Sequence, residues 1–420
     1  AAVAVNSVKV NNTASVQSGA DITGGHVKIS AKEEVDATAK ALGTAMSSSA
    51  SANIGAAVGV NVATVNNRAY VGGYSTINGT AITIEALTTG TEKNEFIVWG
   101  AAAGGGSGDV GIAGSVAVNV LNLTTEAKAL ANSDLISTGA LTVSAENDTI
   151  VQLLAAGGGF STSVAAGAAV SVGVVTATTN AYIAGDADAA GAMLIKAETK
   201  LAPAKADVPL VSDADDPTIT SMAVAGGASS GNVGVAGAVV VNVFNLTTHA
   251  YIAGGSQINQ LSSITPSGQS VTVRAVDNTE ITSIAGSLGV SVGSTGVGAG
   301  ADVGVITKNT RAYIGSGAAV DSDGAINVDA DSTETILSIA ANAGVGNSVG
   351  IAGSASVQVY NTGTRAYVEG TPSGTAASLN AGGNVSITAD GTFTAKMIAG
   401  SVGASGTAGI GASNTTLVHT

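Results

Sequence analysis

Hydrophobic and polar positions alternate through most of this chain, and the alternation recurs in short, similar segments. Segment 27–31 (Val-Lys-Ile-Ser-Ala) places Val27, Ile29 and Ala31 on one face. The fourth position of this segment varies among its counterparts, which carry Ser30, Glu85, Ser144, Lys196, Arg274, Asp329 and Thr388. A period of two with one variable face is typical of a half-buried strand. Helical periodicity is weak throughout, so the pattern predicts an all-β protein.

The alternating segments belong to a repeat of about 58 residues that occurs about seven times. Its clearest marker is a small residue, then Tyr or a substitute for Tyr, then Ile or Val. The marker tyrosines are Tyr70, Tyr182, Tyr251, Tyr313 and Tyr367. A second recurring residue is asparagine, at Asn61, Asn119 and Asn242, although other copies have glycine or glutamine there. These asparagines are candidates for an internal ladder that satisfies backbone groups in turns.

A tandem repeat of this length is too short for separate sandwich domains and too rich in glycine for paired helices. Stacked coils that bury their apolar edges only on their neighbours fit it better. The sequence therefore predicts one continuous parallel β-helix, or β-solenoid, over residues 1–420. With about 19 or 20 residues per coil, three coils make one repeat and the rod is roughly 100 Å long. Two coils of about 29 residues per repeat are the alternative.

Insertions interrupt the repeat in three places. The largest follows Ala197 and predicts an inserted loop over 198–221, and smaller ones lie near Gln257–Gly268 and Thr371–Ala381. Insertions in repeat arrays map to loops, which often bind ligands or partners.

The two ends of the chain lie at nearly the same phase of the repeat. Residues Ala1–Asn6 match Ala56–Asn61, and Gly409–Ser413 match Gly350–Ser354. Terminal repeats normally carry atypical polar caps, and neither end of this sequence shows one. We therefore expect these 420 residues to be a section of a longer array.

Composition narrows the class of protein further. A hydrophobic content of 45% excludes intrinsic disorder, and 58 Gly with 5 Pro shows no three-residue period of the collagen type. The absence of cysteine excludes disulfides and thiolate metal sites. With 15 basic against 29 acidic residues, the net charge of −14 argues against a nucleic acid partner. Aromatic residues make up only 3% of the chain, as a narrow core between facing sheets requires.

Long stretches of the chain carry no charge, for example 160–185 and 335–364. They are too rich in glycine to form an apolar helix of about 20 residues, so we expect no membrane-spanning segment. Flat faces of Gly, Ala, Ser and Val lack the charges that usually prevent lateral pairing of sheets. We therefore expect self-association of rods into filaments or bundles, either side by side or end to end.

The sequence contains no recognisable set of catalytic or cofactor-binding residues. The string Gly106–Gly111 formally fits a dinucleotide fingerprint, but that fingerprint also needs a strand before it, a helix after it and an acidic residue about 20 positions further on, and similar strings elsewhere drift in spacing. We interpret it as glycine of the repeat turns. His26, His249 and His419 have no ligand-like spacing. The sequence predicts a protein that is not an enzyme.

Two groups of carboxylates are the remaining candidates for a site. Asp329 and Asp331, with Glu334 and Arg311 as expected neighbours, share a strand face at i and i+2, so calcium binding or acid–base chemistry is geometrically possible. The variable column that contains Asp329 favours ordinary surface charge instead.

The second group lies in the inserted loop and contains Asp213, Asp215 and Asp216. It lacks the glycine and the distal Glu of an EF-hand loop, so a solvated loop is favoured. Calcium is the one cofactor that these two groups bring into consideration.

The repeat resembles a known family. The cycle GIAGSVAVNVLNLTTEAKAL followed by GALTVSAEND, residues 111–130 and 139–148, resembles the repeat regions of bacterial filamentous adhesins of the haemagglutinin and leukotoxin-like type. The resemblance covers essentially the whole chain. It implies a secreted, right-handed parallel β-helix at the cell surface that serves adhesion, aggregation or filament assembly. The alternatives are a sheath or surface-layer lattice protein and a polysaccharide-binding or polysaccharide-cleaving β-helix.

Overall fold

A computed structural model describes residues 1–88, 93–205, 218–370 and 375–420. Within these residues the chain forms 26 strands and no helix. The strands lie in three sheets whose long ladders are parallel. The predicted all-β solenoid is therefore confirmed.

Sheet A contains eight long strands that follow one another in chain order. These strands are β1 (Ala2–Val16), β5 (Ala52–Val71), β9 (Val110–Ala129), β12 (Val164–Ile183), β17 (Val233–Ile252), β20 (Thr295–Ile314), β23 (Val349–Val368) and β26 (Ala408–His419). Each residue pairs with its equivalents one repeat away, as Val116 pairs with Val58 and Val170. Equivalent residues therefore form columns that run along the axis of the solenoid.

Sheet B is narrow and consists of seven short strands. They are β2 (Asp21–Thr23), β6 (Thr76–Gly79), β10 (Asp134–Ser137), β13 (Asp186–Ala189), β18 (Gln257–Ile258), β21 (Ala319–Ser322) and β24 (Ser378–Ala381). It forms the short third side of each coil.

Sheet C faces sheet A. Its uninterrupted strands are about as long as the strands of sheet A. They are β3 (His26–Glu33), β4 (Asp36–Ser47), β7 (Ala81–Thr88), β8 (Asn94–Gly106), β11 (Leu141–Ser161), β14 (Ala192–Lys205), β15 (Thr218–Ile219), β16 (Ser221–Ser229), β19 (Ser270–Ser291), β22 (Ile326–Gly346) and β25 (Val385–Ser405). Paired short strands such as β3 and β4 occupy one rung, and β15 pairs antiparallel with the end of β14.

One repeat makes one coil, because the chain passes once through sheets A, B and C before it reaches the next marker. Tyr251 pairs directly with Tyr182 and Tyr313, a whole repeat away on either side. The prediction of two or three coils per repeat was wrong. Eight rungs at about 4.8 Å span roughly 35 Å, not 100 Å. The string Gly106–Gly111 spans the bend between β8 and β9, as predicted, whereas other glycines of the repeat lie inside strands, for instance Gly344 in β22.

The coil is thick where sheet B separates sheets A and C. Inward side chains from all three sheets fill this thick end with Val, Ile, Leu and Ala, for example Val71, Ile77 and Ile84, which are all fully buried. A second apolar cluster lies between the middles of sheets A and C and includes Phe96 and Phe244. Burial of these columns from rung to rung is the main stabilising contribution in such an array.

At the other end of the coil, sheets A and C approach each other until their backbones touch. A Cβ atom on Gly234 of β17 would lie 1.9 Å from the carbonyl oxygen of Val290 in β19, and one on Gly104 of β8 would lie 1.9 Å from that of Ile112 in β9. At these two positions only glycine permits so close an approach, in which Cα–H groups face carbonyl oxygens. The cross-section is therefore a wedge with a thin, glycine-lined end.

The largest insertion interrupts one rung of sheet C, and the pairing with β11 continues on either side of it. In the predicted loop 198–221, residues up to Lys205 continue β14, and residues from Thr218 belong to β15 and β16. The stretch between them lies outside the described residues. The segment after Gln257 leaves sheet B and rejoins the solenoid at β19.

Candidate functional site

The predicted pair Asp329 and Asp331 lies on the outer face of sheet C, as the i and i+2 spacing indicates. Arg274 of the preceding rung bridges them, with Nε 3.2 Å from Asp329 Oδ2 and Nη2 3.9 Å from Asp331 Oδ2. Thr388 of the following rung donates to Asp329 Oδ1 at 2.8 Å. Both carboxylates are thus part of a surface network of the kind that neighbouring charged columns form.

The expected neighbours of this pair lie elsewhere. Glu334 points into the solenoid and is buried, and Arg311 belongs to the outer face of sheet A, where its Nε donates to Asn309. Among the described residues, no three His, Cys, Asp or Glu side chains are placed to hold a metal ion. Asp213, Asp215 and Asp216 lie outside the described residues.

A polar cleft lies beside sheet B, between the segment that follows Gln257 and the next two rungs. Its polar groups hold that segment in place. Asp188 Oδ1 accepts from the Leu261 amide at 2.8 Å, and Asn259 Nδ2 donates to the Asp321 carbonyl at 2.9 Å. Burial raises the pKa of Asp188, and its bond to the Leu261 amide opposes that rise. The polar groups of the cleft therefore anchor the inserted segment to the solenoid.

The marker tyrosines form one column on the outer face of sheet A. The rings of Tyr182, Tyr251, Tyr313 and Tyr367 stack with centroids 4.6, 4.7 and 5.1 Å apart. Lys128 interrupts the column between Tyr70 and Tyr182 and lies 5.9 Å from the Tyr182 ring. Because each ring covers the face of the next, the column presents ring edges and hydroxyls to solvent. It contributes to stacking between rungs, which is worth about 0.5–1.5 kcal/mol per aromatic pair.

The recurring asparagines face the interior, as predicted, but they do not bond turns. Asn61 Nδ2 donates to the carbonyls of Ala37 and Ile97 at 2.7 and 3.1 Å, and Asn119 Nδ2 donates to the carbonyl of Phe96 at 3.0 Å. These carbonyls belong to strands of sheet C, so both side chains tie sheet A to sheet C across the core. Asn242 instead accepts a hydrogen bond from Ser221 at 2.6 Å.

The most unusual group in the interior is one that the sequence analysis missed. Lys308 of β20 is almost fully buried, with Nζ 2.9 Å from Asp277 Oδ1 and 2.7 Å from Glu334 Oε1. The same ammonium donates to the carbonyls of Asp277 and Thr333 at 2.9 and 3.2 Å. We call Lys308, Asp277 and Glu334 the buried charge cluster. All three Nζ protons therefore have acceptors, which such a buried cation requires.

A repeat alignment contains the signal that would have found this cluster. Lys308 occupies a column in which Val10, Val65, Leu123, Ala177 and Leu246 are apolar. A charged residue in an inward, otherwise apolar column must have buried partners.

Histidines take no part in any such group. His249 is half-buried on the outer face of sheet A, between Asn180 and Arg311 in its column, and its Nε2 has no hydrogen-bond partner. Burial, assisted by the charge of Arg311, lowers the pKa of His249 to about 4. Its ring is neutral at physiological pH.

Glu33 gives the fold a measurable dependence on pH. Burial raises the pKa of Glu33 to about 7, although a hydrogen bond with Asn94 opposes the rise. A raised folded-state pKa means that the stability contribution is complete below the ordinary pKa of about 4.5 and is lost as pH rises through 7. We expect Glu33→Gln to match the wild type near pH 4.5 and to exceed its stability at pH 8 by about 1–3 kcal/mol.

The measurement is urea denaturation of both proteins across this pH range. His249 has the opposite sign, since its lowered pKa removes stability as pH falls from about 6.5 towards 4. The comparison of Glu33→Gln with the wild type cancels that contribution. A difference that stays constant with pH would contradict the assignment.

Comparisons with protein-family models, with curated proteins and with solved structures found no match for this chain. In the described part of the chain, no helix has the length and apolar character needed to cross a membrane.

Proposed function

We propose that this chain is a structural and adhesive segment of an extracellular filament or rod at a cell surface, acting in adhesion, aggregation or filament assembly. The observation that carries the proposal is that equivalent outward residues recur in register from rung to rung of sheet A. A surface of this kind offers the same contacts many times over instead of one site. The resemblance of the repeat to filamentous adhesins supports the same function.

A polysaccharide-cleaving solenoid is the competing function, because Asp329 and Asp331 do share an exposed strand face. An acid–base pair needs one carboxyl that holds a proton and one that is ionised. Arg274 contacts both side chains, at 3.2 and 3.9 Å, so both carboxylates already have a cationic partner on the same sheet face. This arrangement supports a surface ion network over a catalytic pair.

The test removes one whole coil, residues 110–163, so that Val164 takes the place of Val110, with which it pairs. We expect the shortened chain to fold and to lose one rung of about 4.8 Å in length. Beads coated with it should adhere to cultured cell layers as well as beads coated with the full chain. Removal of residues 110–136, about half a coil, is the control and should prevent folding, because it deletes β9 of sheet A and connects β8 almost directly to β11, two strands of the same sheet C.

Two results would contradict the proposal. One is loss of adhesion in the folded coil deletion, since a single site would then reside in the deleted coil. The other is release of reducing ends from soluble polysaccharides by the full chain, if the paired substitution of Asp329→Asn and Asp331→Asn abolishes that release.

A further inference from the structure

The outer face of sheet A carries an uninterrupted block of valine. Three successive outward positions, those of Val58, Val60 and Val62 in β5, hold valine in β5, β9, β12, β17, β20 and β23, except for Ala301 and Ala355. We call these positions the valine face. Several of its members, such as Val62 and Val243, are exposed by 42% and 38%. No charged residue occurs within it.

A groove runs beside the valine face along the solenoid axis. The column of Ala56 alternates between Ala and Gly through Gly114, Ala168, Gly237, Ala299 and Gly353. On the other side of this column from the valine face, the column of Ile54 holds Ile or Val in most rungs. A row of small residues between two rows of branched residues forms an apolar channel, which is open around Gly237, Ala299 and Gly353. The ridges and the groove repeat with the same spacing along the axis, so the ridges of one such surface can fit the groove of another.

The area of this surface is that of a stable protein interface. Outward positions from Ile54 to Val62 extend about 26 Å along a strand, and six rungs extend roughly 29 Å, which gives roughly 800 Å² per copy. Two such faces bury roughly 1,600 Å², the size of a standard specific interface. Isolated monomers rarely expose apolar patches larger than a few hundred Å².

We propose that the valine face packs against the valine face of a second copy of this chain, as in a sandwich of two aligned sheets. This inference rests on the proposed structural function and names the surface that performs self-association. Each row of valines recurs at every rung, so the surface with the matching period is another copy of itself. Valine loses little side-chain entropy on packing, because its branched Cβ already fixes χ1. Sheets that pack in this way lie about 10 Å apart with aligned strands.

Sheet C offers a poorer surface for the same purpose. Its outward residues near the thin end include Leu42, Phe160 and Leu288, but glycine and alanine separate them within their columns. Bulky side chains that do not recur at each rung leave gaps when two such faces meet. A lipid surface is also a poorer occupant, because interfacial segments combine their apolar face with flanking Lys and Arg. The columns next to the valine face are mainly Thr and Asn, as at Thr64 and Asn66.

The test is sedimentation velocity across micromolar concentrations, with two variants in β17 and one in sheet C. Val241→Lys places a charge in the middle of the valine face, and Thr247→Lys places the same charge on the same side of β17 but outside it. Leu288→Lys probes the exposed face of sheet C. We expect the wild type, Thr247→Lys and Leu288→Lys to sediment at twice the chain mass of 40.0 kDa. We expect Val241→Lys to raise the dissociation constant of the dimer at least 100-fold. On heating, this variant should unfold as a folded monomer does.

Several results would overturn the proposal. They are a monomeric wild type at all concentrations, a dimer or larger assembly that survives Val241→Lys, and a dimer lost equally in Leu288→Lys or Thr247→Lys. Cosedimentation of a monomeric wild type with phosphatidylcholine and phosphatidylglycerol vesicles would assign the face to lipid instead. If Val241→Lys does not fold, Val241→Thr keeps the shape and is expected to weaken the dimer several-fold. The coil-deletion test does not depend on this dimer, so the two proposals can fail separately.

Discussion

Gly234→Ala is expected to destabilise the middle of the solenoid by about 1–3 kcal/mol. The added methyl carbon would lie 1.9 Å from the Val290 carbonyl oxygen and 2.6 Å from its carbon, so sheets A and C must separate. Neither neighbour is the end of a flexible side chain, and neither can move without disturbing its own ladder. Urea denaturation monitored by circular dichroism measures the loss. Hydrogen exchange should show it first in β17 and β19.

Gly237→Ala is the matched control in the same strand. Gly237 faces outward, and an added Cβ would find only the Ala299 carbonyl oxygen, at 4.0 Å. The neighbouring rungs already carry Ala168 and Ala299 in this column. We expect a neutral effect or a gain of up to about 1 kcal/mol, because alanine restricts the unfolded chain. Equal effects of the two substitutions would show that the thin end is not a backbone-to-backbone interface.

Lys308→Leu is expected to cost about 3–5 kcal/mol at neutral pH, because it leaves two buried carboxylates without their cation. Burial already raises the pKa of Asp277, and the Lys308 charge is the largest influence that opposes it. Without Lys308, the folded state binds protons more readily than the unfolded state. The loss should therefore be largest at pH 7–8 and should shrink as pH falls towards 4. Thermal and urea denaturation at several pH values measure this.

Neighbouring coils supply the rescue variant. The columns of Asp277 and Glu334 contain threonine at Thr199 and Thr279, and the Lys308 column contains Leu246. Lys308→Leu combined with Asp277→Thr and Glu334→Thr thus gives this rung the side chains of the rungs beside it. We expect the triple variant to recover most of the stability and to lose the dependence on pH. Failure to recover would indicate that packing of the lysine stem, not its charge, stabilises the interior.

The sequence predicted the period and the columns well, because both depend on side-chain alternation and on repeated markers. Tyr182 and Tyr251 were placed as equivalent residues and lie in one stacked column. The number of coils per repeat was wrong for a physical reason. Glycine marks turns in most strands, but here glycines such as Gly234 and Gly344 lie where two sheets touch, and the strand continues. Sequence alone does not distinguish a turn from such a close approach.

The candidate site was predicted unevenly for a related reason. Spacing of two correctly placed Asp329 and Asp331 on one face, but the partner Arg274 lies on another rung and is found only from the register. Glu334 was grouped with them by proximity in sequence, although the period of two puts it on the opposite face from Asp329. Register across rungs, not distance along the chain, determines which charges meet.

The buried charge cluster has a consequence for the order in which coils assemble. Most coils are interchangeable, so a chain that skips one during folding still pairs valine with valine, as Val58 would with Val170. The side chains that meet in such a mispaired chain are nearly the same as in the native one, so they disfavour the omission only weakly. Lys308 differs, because its acidic partners come from the strands of sheet C immediately before and after β20. If a coil is looped out at this point, either Lys308 or its acidic partners are left buried without an opposite charge. The buried charge cluster therefore favours the native order of rungs.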